Sequence, residues 1–171
     1  MQNNRLKKLA ETIDALAVKD AALIEKTHRI EALRRRAATE LHAICRSFVG
    51  ELNRYLTQTE LSFDPPGYPP EAFQDPGANL FQINARGRIL QVEFSSTDLL
   101  VSTENFRVPH LLEGAVRCFN QDLLEQAVIE EQYVFYCLEK RHNQWRYFDA
   151  RTYRSGPFDE DYLISLMEQL L

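Results

Sequence analysis

The chain has 171 residues, of which 44% are hydrophobic and 26% charged, a composition that excludes wholesale disorder. No apolar run approaches the roughly 18 residues that a membrane-spanning helix needs, and the first residues lack the apolar stretch of a signal peptide, so we expect a cytoplasmic protein without a membrane span. The net charge of −5 is uneven: residues 1–60 carry 11 basic and 8 acidic side chains, a net +3, which leaves −8 for residues 61–171.

A long amphipathic helix is predicted over residues 1–60. The first glycine is Gly50 and the first proline is Pro65, and the residues before them are rich in Ala, Leu, Glu, Lys and Arg, which favour helix. We expect the helix to end between residues 57 and 60. A helix of this length either continues unbroken or turns back once as a hairpin, for which Lys19 and Asp20 mark the least apolar point.

One face of this helix carries apolar residues at a spacing of seven. A row three residues earlier is apolar at both ends and polar in the middle, and a row one residue later contains several alanines. Such a wide stripe is more typical of antiparallel packing or a multi-helix bundle than of a simple parallel dimer. We expect it to form a homodimer or higher oligomer, with the interface at Leu9, Leu16, Leu23, Ile30, Ala37 and Ile44. The alternative is that the helix packs on the C-terminal domain of its own chain.

Residues 61–79 are predicted to form a proline-rich linker or ordered loop. Five of the seven prolines lie between Pro65 and Pro76. This composition marks the boundary between the helix and the domain that follows it.

The first half of residues 80–171 reads mainly as β-structure. A hairpin turn at residues 85–87 separates β-rich segments, and a third strand is expected further along. Pro109 argues against a helix through the ambiguous segment around it, which could instead form an edge strand. In chain order, the segments are 80–84, 88–94, 99–102, the ambiguous 106–119, and a short helix or turn at 122–127.

The second half of this region contains the clearest hairpin. Aromatic residues on its two arms, residues 132–138 and 145–149, favour cross-strand pairing. A final helix follows Pro157, capped by Asp159 or a neighbour. The predicted fold is therefore α+β, with a long N-terminal helix of coiled-coil or bundle type joined by the proline-rich segment to a small antiparallel sheet domain with a C-terminal helix.

No common catalytic, nucleotide-binding or metal-binding motif is present. His28 and His42 would lie about 21 Å apart along the helix, too far to share a metal ion. The three cysteines are widely spaced and form no CxxC pair, so we expect buried, inert thiols. We therefore expect no catalytic residue, metal or cofactor, and favour a non-enzymatic protein over an enzyme.

Two clusters suggest alternatives. Arg34, Arg35 and Arg36 are a possible polyanion contact, although nearby acidic residues partly neutralise them and a nucleic-acid surface usually has a stronger basic excess. A pocket between the aromatic hairpin and the final helix, near Asp149, Arg151 and Tyr153, would suit a small ligand or a substrate.

The leading hypothesis is a non-enzymatic, self-associating binding or scaffold protein. Its expected partner is a second copy of itself, with another protein as a further partner. Small-ligand binding or catalysis at the pocket is the second hypothesis, and nucleic-acid binding through the arginine-rich helix is the third.

Overall fold

The computed structural model describes residues 2–101, 108–123 and 130–171, and their fold is α+β as predicted. A long N-terminal helix is followed by a seven-stranded antiparallel sheet and a C-terminal helix. The strands lie in the sheet in the order in which they occur in the chain. The elements are α1 (Gln2–Asn53), β1 (Ser62–Asp64), β2 (Asn79–Ala85), β3 (Arg88–Val101), β4 (His110–Asn120), β5 (Glu130–Cys137), β6 (Gln144–Asp149), β7 (Arg154–Pro157) and α2 (Glu160–Leu170).

Helix α1 is continuous, so the hairpin alternative at Lys19 and Asp20 is wrong. It ends at Asn53, earlier than the predicted 57–60. The Asn53 side chain explains this end: its amide donates to the Leu61 carbonyl at 3.0 Å and its oxygen accepts the Leu61 N–H at 2.8 Å. These two bonds hold the returning chain beside the last turn of the helix and stop its extension.

The chain divides into two compact units, Met1–Leu33 and Arg34–Leu171, so the division lies inside α1. In the first unit, residues 3–29 are all exposed. In the second unit, one face of α1 is buried, including Ala37, Leu41 and Phe48.

Within the second unit, α1 packs on one face of the sheet, which we call the covered face and which carries Phe81, Phe94 and Trp145. The Trp145 indole N–H donates to the Ala37 carbonyl oxygen at 2.7 Å. The Phe81 and Phe94 rings, and the Phe94 and Trp145 rings, make edge contacts at 5.3 Å. His42 completes this packing, because its ring lies 5.2 Å from that of Phe81.

Helix α2 packs on the same face, and its predicted cap is confirmed. The Asp159 carboxylate accepts the Tyr162 N–H at 3.0 Å. The Tyr162 ring stacks on that of Tyr147 at 4.0 Å. On strand β7, a Cβ at Gly156 would lie 3.0 Å from the Tyr147 ring, so Gly156 makes room for this stack.

The predicted strands and turns agree best with the structure where neighbouring residues determine them. Arg86 (φ 55°) and Gly87 (φ 87°) form the predicted β2–β3 turn, with the positive φ values of a type I′ hairpin. Instead of two strands, β3 continues to Val101, with a register shift after Ser96. The segment with Pro109 does not supply an edge strand, because β4 lies between β3 and β5. The predicted parts at residues 102, 106–107 and 124–127 lie outside the described residues.

Part of the proline-rich segment is packed against the sheet. The buried Asn79 side-chain oxygen accepts hydrogen bonds from the Tyr68 hydroxyl at 2.7 Å and from the Gln74 N–H at 2.8 Å. The Pro65 carbonyl accepts from His42 Nε2 at 2.7 Å. These bonds satisfy polar groups of a segment whose prolines, lacking an N–H, cannot pair fully in a strand.

Two glycines provide a matched test of the close approach of strands β3 and β4. A Cβ at Gly114 would lie 1.9 Å from the Glu93 carbonyl oxygen, whereas one at Gly50 in α1 meets nothing within 4 Å. We expect Gly114→Ala to lower the free energy of unfolding by about 2–3 kcal/mol. Gly50→Ala should raise it by about 0.5–1 kcal/mol because alanine favours helix. Urea unfolding measures both, and equal effects would contradict the close approach of β3 and β4 at Gly114.

Candidate functional site

The first unit presents a row of exposed apolar side chains. Six of them, between 53% and 64% exposed, recur along α1 mainly at spacings of three, four and seven. Residues at these spacings share one side of a helix. Val18, also exposed, lies on the other side. We call the set the exposed stripe; it consists of Leu6, Leu9, Ile13, Leu16, Leu23 and Ile24.

The predicted interface residues occupy two different environments. Leu9, Leu16 and Leu23 belong to the exposed stripe, whereas Ala37 is fully buried in the second unit beside Trp145. Ile30 and Ile44 are half-buried. The same helical row is therefore covered by the protein's own sheet at Ala37 and left to solvent at its first three members.

The three arginines also separate. The Arg34 side chain is only 11% exposed and lies 4.0 Å from the Asp75 carboxylate. Its guanidinium donates to the carbonyl oxygens of Thr97 and Leu111, the latter at 3.2 Å. Arg35 and Arg36 are exposed. Two of the three predicted polyanion contacts therefore face solvent, while Arg34 is engaged in internal hydrogen bonds.

This difference predicts unequal effects of substitution. Arg34→Ala removes the guanidinium from the Thr97 carbonyl and should lower the free energy of unfolding by about 2–3 kcal/mol. Arg35→Ala is the matched control, expected within about 0.5 kcal/mol of wild type because exposed side chains contribute little. Urea unfolding compares the two, and a neutral Arg34→Ala would contradict the assigned contacts.

A groove of about 600 Å³ lies between β6, β7 and α2, in the region of the predicted pocket. Asp149 and Arg151 line it together with the stacked Tyr147 and Tyr162. The third predicted residue, Tyr153, does not line it; it has a φ of 58° in the turn before β7 and is 72% exposed. Two of the three predicted residues therefore line the same groove.

Two pairs of polar residues in this groove are in contact with each other. Arg151 donates its backbone N–H to Asp149 at 2.9 Å, and its side chain lies 3.5 Å from the same carboxylate. The Tyr162 hydroxyl donates to Gln132 at 2.7 Å. Burial by itself would raise the pKa of Asp149, but the Arg151 N–H, the Thr152 hydroxyl and the Arg151 charge favour the carboxylate, so the pKa lies below its usual 3.8.

A lowered pKa in the folded state makes Asp149 stabilising at neutral pH. That contribution is present above the unfolded pKa and is lost as pH falls through the folded value. We expect Asp149→Asn to cost about 1 kcal/mol at pH 7 and progressively less as the pH falls below 3.8, where the wild-type carboxyl becomes protonated. Urea midpoints across this pH range measure the cost, and a cost that does not change with pH would refute the assignment.

A second groove, of about 520 Å³, lies on the other face of the sheet and was missed from the sequence. Arg117 on β4 donates to Glu131 at 2.8 Å and to Glu93 at 3.2 Å. Its hydrogen bond to Glu131 raises the pKa of Arg117. Exposed Tyr133 and buried Phe135 line the same groove. The sequence signal for this groove is the alternation of side chains between the two faces within each strand. That alternation identifies the groove residues only once the register between strands is known.

The described part of the chain contains no group of three His, Cys, Asp or Glu residues placed to hold a metal ion. Cys45, Cys118 and Cys137 are buried and unpaired by disulfides, and burial raises the pKa of each thiol to about 12. None of the described helices is long and apolar enough to cross a membrane.

Comparison with protein-family models, with curated proteins and with solved structures found no match to this chain.

Proposed function

We propose that this protein is a non-enzymatic, self-associating binding or scaffold protein that acts through protein–protein contacts. The exposed stripe carries the proposal. Contiguous apolar surface of this kind marks an interface in proteins that have a hydrophobic core elsewhere. Here the core is in the second unit, where Leu41, Phe81 and Phe94 are almost fully buried.

The stripe is large enough for its burial to offset the cost of association. Half-burying one leucine or isoleucine contributes on the order of 1 kcal/mol. Two copies of six such side chains then contribute on the order of 10 kcal/mol, which is comparable with the cost of bringing two molecules together. A second copy of the chain is the partner we propose, and a different protein with a matching apolar helix is the alternative.

Two further observations support the proposal. Three side chains of the second unit that could take part in catalysis, Arg34, Arg117 and Asp149, are engaged in internal hydrogen bonds. This supports the proposal that the protein is non-enzymatic. A cytoplasmic location belongs to the same proposal, supported by three cysteines that form no disulfide, as is common in a reducing compartment.

The test is the molar mass in solution. By light scattering at micromolar concentration, the wild type should be a dimer or larger, and the double variant Leu16→Asp, Leu23→Asp should be a monomer because it places charges in the exposed stripe. Val18→Asp, on the opposite side of α1, is the matched control and should keep the wild-type mass. A monomeric wild type would contradict the proposal. If the double variant keeps the wild-type mass, the interface does not lie on the exposed stripe.

A further inference from the structure

We infer that the first unit pairs with a second copy of this chain as a parallel, in-register two-stranded coiled coil; this rests on the proposed self-association. The seam follows a seven-residue repeat whose core positions alternate at spacings of three and four. Position a is occupied by Leu6, Ile13, Asp20 and Thr27, and position d by Leu9, Leu16, Leu23 and Ile30.

The structure narrows the stripe that has to be covered. Taken over residues 1–60, the apolar face is too wide for a simple parallel dimer. Part of this face lies in the second unit, where Ala38, Leu41 and Cys45 are buried within their own chain and need no partner. The part left for a partner runs from Leu6 to Ile30, about three and a half repeats, long enough for a stable coiled coil.

The residue types in the seam favour two strands. Leucine at d combined with β-branched residues at a is the pattern of parallel dimers. Three of the four d positions are leucine, and two of the four a positions, Ile13 and Thr27, are β-branched.

Charge on the flanking positions distinguishes the two orientations. Position g, which precedes a, carries Arg5, Thr12, Lys19 and Lys26, whereas position e, which follows d, carries Ala10, Ala17, Ile24 and the exposed Glu31. In an antiparallel pair, g faces g of the other helix, so basic residues face one another. In a parallel pair, g faces e, so Lys26 of each chain faces Glu31 of the other.

Asp20 is the charged residue in the apolar part of the seam. In register, the two Asp20 side chains share one layer, and each lies next to Lys19 of the other copy, whose charge offsets part of the repulsion between them. The register is set by Lys26 and Glu31, because a slip by one repeat would move Glu31 of one chain away from Lys26 of the other.

Cross-linking of two single-cysteine variants tests the orientation. Leu6→Cys and Ile30→Cys, each treated alone with a short bis-maleimide, should form covalent dimers, because like positions face each other in a parallel pair. In a fully overlapped antiparallel pair the two thiols introduced at position 6 would be about 36 Å apart. Wild type measures the background from the three native thiols, which are buried.

The outcomes separate this inference from the proposed function. A dimer whose variants cross-link individually supports both. A dimer that cross-links only when the two variants are co-expressed is antiparallel, which overturns the inference and leaves self-association intact. A trimer or tetramer by light scattering overturns the two-stranded arrangement, and a monomer overturns self-association itself.

A charge exchange provides a second measurement that needs no cross-linker. Glu31→Lys should weaken dimerisation about tenfold, because each Lys26 then faces a lysine. The double variant Lys26→Glu, Glu31→Lys should restore the wild-type dissociation constant. Glu25→Lys is the control: Glu25 pairs with Arg29 on the outer side of the same helix, and no change is expected. Failure of the double variant to restore dimerisation would argue against the parallel pair.

Discussion

The apolar face of α1 is the constraint on which the rest of the structure depends. One helical row runs through both units, but its surroundings change where the units divide, between Leu33 and Arg34. From Ala37 onward the chain supplies its own cover, and the hydrogen bond from Trp145 to the Ala37 carbonyl fixes the helix against the sheet. Before that point the same kind of row is exposed, so the helix is a core element over one length and an interface candidate over the other.

Arg34 explains why the change occurs there. It follows Leu33 directly, at the start of the second unit. Its guanidinium satisfies the Thr97 and Leu111 carbonyls at the register shift between β3 and β4. Because an unpaired buried carbonyl is costly, this residue ties the start of the buried part of α1 to an irregular part of the sheet and stabilises both.

The features that could be predicted from the sequence are local ones. The absence of glycine and proline before Gly50 predicts α1, and Arg86-Gly87 predicts the β2–β3 turn. The short strands β1 and β7 were missed because they lie next to prolines and hold only 3 and 4 residues. The central place of β4, the contacts of Arg34 and the group of Glu93, Arg117 and Glu131 depend on pairing between distant segments, which no single window of sequence contains.

The stability of the second unit does not depend on side chains of the first unit. The successive ring contacts of His42, Phe81, Phe94 and Trp145 form part of the core of the second unit, and all four residues belong to that unit. No side chain of residues 3–29 is buried. The exposed stripe thus contributes little to the packing of the sheet, and under the proposed function changes in it act on association. The second unit has its own hydrophobic core, whereas the apolar surface along the first part of α1 has no cover within the described chain, which is why we assign that surface to contact with another molecule.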